Sequence, residues 1–139
     1  MKKRTDKSLL IISDLFGIDH IKQDNHYLQE VSQQYSQLGY QHYIYSAPEL
    51  AKIKHSHQLT EQELHCQFIH KNALEKAAEN LVNDRSSYDL AIGFSIGGTM
   101  LWQAALKNSG LCRALICISS TRLRYEKSRP YMPHICSFW

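Results

Sequence analysis

The chain of 139 residues has room for one ordinary domain and not for two, and a chain this long can bury a core without disulfides or a metal. Apolar residues make up 43% and charged residues 21%, which excludes a disordered chain, a collagen and a coiled coil. The net charge is +3, from 16 Lys and Arg against 13 Asp and Glu; the excess gathers at the two ends (Lys2, Lys3, Arg4 and Lys7, then Arg122, Arg124, Lys127 and Arg129), and no basic face interleaved with aromatics lies between them, so no nucleic-acid partner is expected.

Residues 8–13 form a short, continuously apolar run, as a strand buried on both faces of a parallel sheet requires. Its basic approach and Leu9, Leu10, Ile11 and Ile12 imitate a signal peptide, but Asp14 interrupts too soon. A helical period follows on Tyr27, Leu28, Val31, Tyr35 and Leu38, with Asp24 as the expected N-cap and Gly39 as the stop. Residues 41–46 read as a second strand, rich in β-favouring aromatics and closed by Pro48. Residues 51–59 read as loop. Thr60-Glu61-Gln62-Glu63 is a capping box that opens one helix running to about Asn83. Residues 88–94 are a third strand, turning through Ser95 into a helix over 97–107, and residues 114–118 are a fourth.

Alternating strands and helices imply a parallel sheet with right-handed crossovers. The expected fold is a three-layer α/β/α domain with strand order 2-1-3-4, a core over 8–120 and an irregular tail over 121–139. No run is long enough to span a membrane. The cysteines Cys66, Cys112, Cys117 and Cys136 form no C-x-x-C pair, which speaks against zinc or thioredoxin-like chemistry and for a reducing, cytoplasmic setting.

The strongest local signal is Gly93-Phe94-Ser95-Ile96-Gly97, a G-x-S-x-G between a predicted strand and a predicted helix. A serine nucleophile on such a turn sits in strained backbone, and side chains two residues either side would clash. The rival reading is a glycine-rich turn that merely allows close helix–sheet packing. A phosphate-binding turn is disfavoured, because neither G-x-G-x-x-G nor G-K-[ST] is present. Residues Ser13-Asp14-Leu15-Phe16-Gly17 end the first strand, beside Ser95 in the expected strand order, and sites of open parallel sheets lie at the carboxyl ends of strands. The amides of Leu15 and Ile96 are therefore candidates for an oxyanion hole. Asp14 is either a turn former or an acid of the site.

These motifs, with Ala47-Pro48-Glu49-Leu50 after the second strand, resemble the α/β-hydrolases and more narrowly the dienelactone hydrolase group, in order from residue 8 to about 120. The resemblance implies a serine hydrolase acting on an ester or a similar small acyl compound, with Ser95 as nucleophile, Leu15 and Ile96 as oxyanion donors, Asp14 in the acidic position before them, and no cofactor. It also exposes departures. Namesake dienelactone hydrolases carry cysteine in the elbow. After Ser95 the only acid is Glu126 and the only histidine His134, whereas the superfamily places its acid and then its histidine after later strands. The chain thus reads as a truncated member lacking the last strands, and the alternative function is an inactive remnant with a binding or interaction role. His20 and His134 are the candidate bases. His55, His57, His65 and His70 lack the spacing of a metal motif and read as solvated surface residues, so no metal is expected. With four strands, residues 114–118 would form an exposed edge; either residues 133–139 fold back over it, with Phe138 and Trp139 covering apolar surface, or the bare edge invites self-association.

Overall fold

The computed structural model describes residues 7–18, 26–84 and 86–138. Five strands build one parallel sheet: β1 (Lys7–Ile12), β2 (Tyr40–Tyr45), β3 (Tyr88–Phe94), β4 (Cys112–Ile118) and β5 (His134–Phe138). Their order is β2-β1-β3-β4-β5. The helices are α1 (Tyr27–Gln37), α2 (Ala47–Leu50), α3 (Glu61–His70), α4 (Ala73–Asn83) and α5 (Ile96–Lys107).

The sheet sits where the apolar runs predict it. Leu9 through Ile12 are wholly buried because helices cover both faces. Leu9, Ile11, Leu90 and Ile92 face Leu28 of α1. Leu10, Ile12, Ala91, Leu115 and Cys117 face α2 to α5 through residues such as Phe68, Leu81, Met100 and Leu101. Alternate residues of one strand thus serve opposite layers, as the period of two demands. Burial pushes the thiols of Cys112 and Cys117 up to about 12, so both stay protonated core residues.

Three expectations change. The helix predicted from Thr60 to Asn83 is two. Asn72 takes a left-handed backbone, with φ of 59°, between α3 and α4, and asparagine tolerates that region better than most residues. Thr60 does cap α3, accepting the Glu63 amide at 3.1 Å. The N-cap of α1 is His26; Asp24 lies outside the described residues. The tail is not irregular throughout. A 3-10 turn over Thr121–Tyr125 follows β4, and the segment after it is fastened to α5 by Trp102 Nε1 donating to the Ser128 carbonyl at 2.9 Å. Residues 134–138 then pair with β4 in parallel, Ala114 against His134 and Ile118 against Phe138.

That pairing corrects the edge. Residues 114–118 have a neighbour on each side, β3 and β5, so they are not the exposed strand expected to drive self-association. Among the described residues the outer strands are β2 and β5, and on β5 Phe138 is 56% exposed.

Candidate active site

Parallel pairing aligns the carboxyl ends of the strands. Ile12 lies opposite both Tyr45 and Gly93, and Phe94 opposite Ile118. The turns that follow β1, β2, β3 and β4 therefore gather at one end of the sheet, which is where ligands of open α/β sheets bind.

Ser95 is the whole of the turn between β3 and α5. Its backbone has φ of 54° and ψ of −120°, a combination that costs an L-residue on the order of 1–3 kcal/mol. Three contacts hold it there. The Ser95 amide donates to the Ile118 carbonyl at 2.7 Å. Its carbonyl accepts the Ser120 hydroxyl at 2.8 Å and the Gly98 amide at 3.1 Å. The glycines make the approach feasible. A Cβ on Gly93 would lie on the backbone of Gly98, and one on Gly97 would meet the Ser13 carbonyl oxygen and, at 2.8 Å, the Ile12 carbonyl oxygen. Strand β1 thus packs directly against the first turn of α5, and only hydrogen atoms fit between.

The turn after β1 is built by its own polar side chains. The Asp14 carboxylate accepts the Phe16 amide at 2.9 Å, and the Asp14 carbonyl accepts the Gly17 amide at 3.2 Å. The buried Ser13 hydroxyl donates to the Asp14 carbonyl at 2.8 Å and accepts the Ala47 amide at 2.9 Å. A side chain on Gly17, whose φ is 82°, would collide with the Ser46 hydroxyl. The D-L-F-G and A-P-E-L segments are therefore one interlocked unit. Tyr27 closes it from α1, its hydroxyl accepting the Asp14 amide at 3.2 Å. Burial, with the nearby Asp14 charge, holds that phenol well above its ordinary range.

Ser95, Leu15 and Ile96 line one cavity of about 80 Å³, together with His65, Phe68, Thr99 and Arg122. Neither the Leu15 nor the Ile96 amide donates to another group among the described residues. Ile96 opens α5, where the first amides of a helix lack intrahelical acceptors. The Ser95 hydroxyl is likewise unengaged among the described residues.

The remaining site residues distribute unevenly. Asp14 shapes the turn and is not among the residues lining the cavity. His134 begins β5 and borders a surface depression with Lys7, Asp89 and Arg113; these open their strands, so His134 lies at the opposite end of the sheet from Ser95. His20 lies outside the described residues. The histidine that does line the Ser95 cavity is His65, projecting from α3. His65 is exposed, as the sequence predicts for a surface histidine; its neighbours Leu64 and Phe68 are buried, so this turn of α3 lies at the rim of the cavity. Among the described residues no three His, Cys, Asp or Glu side chains come together as a metal site would require, and no helix is long and apolar enough to cross a membrane.

Comparison with solved structures gives the architecture a relative. A crystal structure from Klebsiella pneumoniae subsp. pneumoniae MGH 78578, of a protein provisionally named a dienelactone hydrolase, superposes with a TM-score of 0.56 at 15% sequence identity, over 85% of this chain and 50% of that one. The fold is α/β-hydrolase-like. At this identity the likeness concerns the fold alone, and the chain spans half the length of that structure. No family model and no curated protein matches the sequence.

Proposed function

We propose that this chain is a serine hydrolase that cleaves an ester or a similar small acyl compound, with Ser95 as the nucleophile. The observation that carries the reading is the shared cavity: a strained serine, its hydroxyl unengaged among the described residues, lines the same space as Leu15 and Ile96, whose amides have no partner among those residues. Preorganised amides that spend nothing on internal hydrogen bonds are the means by which acyl-transfer sites stabilise developing negative charge.

The chemistry then runs as follows. The Ser95 oxygen adds to the substrate carbonyl carbon while its proton passes to the His65 imidazole. The carbonyl oxygen takes up the negative charge, held by the Leu15 and Ile96 amides. The tetrahedral adduct collapses, the bond to the leaving alcohol breaks, and that alcohol departs with the proton from His65. Water adds to the acyl group on Ser95 by the same route in reverse, which frees the acid and restores the serine. Asp14 acts at one remove, keeping the turn that presents Leu15. The buried thiols of Cys112 and Cys117 fit the reducing setting of the cytoplasm.

One observation favours a second reading, a non-catalytic protein that only binds the acyl compound. Among the described residues no carboxylate hydrogen-bonds His65, so the imidazole lacks the orienting partner that complete triads provide. Covalent labelling decides between them. A fluorophosphonate probe should modify Ser95, located by mass spectrometry of the digested protein; intact protein after prolonged exposure would favour the binder. His65→Ala should lower kcat by about 10²-fold, as loss of a general base does, and added imidazole should restore part of the rate. A variant that loses activity without rescue would assign His65 a purely structural part.

A further inference from the structure

The Ser95 cavity does not stand alone. A second cavity, of about 230 Å³, adjoins it and shares Phe68, Thr99 and Arg122 as its walls. We propose that this second cavity seats the alcohol half of the substrate, and that the substrate is a short-chain acyl ester of a neutral polyhydroxyl alcohol. The proposal rests on Ser95 being the nucleophile, and it adds the substrate class.

Size separates the two halves. The cavity that holds Ser95 amounts to about 80 Å³, under three waters at roughly 30 Å³ each. An acyl group of two or three heavy atoms fills it, and a longer chain would have to run out of its mouth. The adjoining space is nearly three times larger, and its character is different. Asn72, Glu75, Gln103 and Glu126 line it in addition to the shared residues.

Thr99 points to a ligand there. It lies on α5 one turn beyond Ser95, it is 2% exposed, and its hydroxyl has no hydrogen-bond partner among the described residues. An unsatisfied buried hydroxyl costs on the order of 1–3 kcal/mol, and valine of the same shape would avoid that cost. Because Thr99 borders both cavities, its hydroxyl is placed to meet an oxygen of a molecule that spans them.

The charges select the kind of molecule. Two carboxylates, Glu75 and Glu126, share the larger cavity with one guanidinium, Arg122. An anionic group there meets more negative charge than positive. An alkyl group would displace water from the carboxylates of Glu75 and Glu126 without replacing its hydrogen bonds. A polyol suits the set, because each of its hydroxyls both donates and accepts: it donates to the carboxylates and accepts from Arg122. Arg122 is open to this, since its guanidinium stacks on the Tyr125 ring at 5.2 Å and makes no ion pair among the described residues. Glu126 is already steadied by Gln103, whose amide donates to it at 3.0 Å.

Binding can be separated from turnover by titrating the Ser95→Ala protein, followed by amide chemical shifts, with three esters: glycerol monoacetate, monoethyl succinate and ethyl octanoate. Glycerol monoacetate should bind at least tenfold more tightly than either of the others. Adding Thr99→Val should weaken it by about tenfold, the worth of one hydrogen bond to an otherwise unpaired group. The melting temperature of Thr99→Val should be unchanged or higher, because its hydroxyl bonds to nothing in the free protein. Tighter binding of the succinate or octanoate ester, or an unaltered affinity in Thr99→Val, would overturn the proposal. Should the polyol ester bind as expected while the wild-type protein fails to hydrolyse it, the cavity assignment stands and Ser95 as nucleophile falls.

Discussion

Ser95→Ala is expected to reduce hydrolysis of p-nitrophenyl acetate by about 10²- to 10³-fold. A complete triad loses on the order of 10⁶ in kcat when its serine is removed; here no carboxylate among the described residues orients His65, so the wild-type rate should start lower and less remain to be lost. Wild-type turnover should accordingly fall below the enzyme median of about 10 s⁻¹. What survives in the variant is the contribution of the Leu15 and Ile96 amides and of binding, which in triad enzymes still amounts to about 10³–10⁴ over water. A companion variant separates chemistry from folding. Ser95→Gly also removes the nucleophile, and it relieves the backbone at φ of 54°. It should therefore be inactive yet melt several degrees higher, since strain of about 1–3 kcal/mol corresponds to a few degrees per kcal/mol in a domain of this size. Turnover near the median that persists in Ser95→Ala would show that another group does the chemistry.

How much of this was legible in the residues depends on how local the cause is. Strands β1, β3 and β4 announce themselves because a strand covered on both faces has to be apolar throughout. The turn at Ser95 is legible because part of its sterics is local: Gly93 must clear Gly98 five residues on, while the reason for Gly97, its approach to β1, appears only in the fold. The D-L-F-G and A-P-E-L segments read as separate motifs; only the structure shows Ser13 and Gly17 locking one against the other. The residues show β5 only as a closing stretch able to cover β4, not as a strand. His-Ile-Cys-Ser-Phe has neither a continuous apolar run nor a clear alternation, and most of it remains exposed; its conformation comes from pairing with β4, including the Ser119 amide donating to the Phe138 carbonyl at 2.6 Å. The surface character of His65 is legible in the residues, but its share in the cavity of Ser95 is not, because it depends on how α3 is set against the sheet; nor does a satisfied capping box give any hint of the break at Asn72. The elimination of His134 is likewise a matter of register: one end of a strand differs from the other only once its partner is known.

The second large effect concerns the contact that shapes the elbow. Gly97→Ala should destabilise the fold severely and take the site with it. The added Cβ would meet two backbone carbonyl oxygens, those of Ser13 and Ile12, and the Ile12 side chain at 2.9 Å. A flexible side chain could yield, but these oxygens belong to β1, an interior strand, and to the turn that carries Leu15. Overpacking in a core typically costs about 1–3 kcal/mol, and an obstruction made of backbone should lie at or beyond the upper end. At roughly 2–4 °C per kcal/mol for a chain of this length, the melting temperature should fall by at least about 5 °C. The displacement also has a direction. Pushing α5 away from β1 moves Ile96 from Leu15, so fluorophosphonate labelling should drop further than the residual folded fraction accounts for. Gly110→Ala is the matched control. Its Cβ would meet only the Asn108 side-chain oxygen at 3.4 Å, on the exposed turn after α5, and the melting temperature should stay within about 1 °C, as for surface substitutions away from special features. Equal melting temperatures for the two variants, by calorimetry or circular dichroism, would mean that the close approach of β1 to α5 is not what holds Ser95 in its turn.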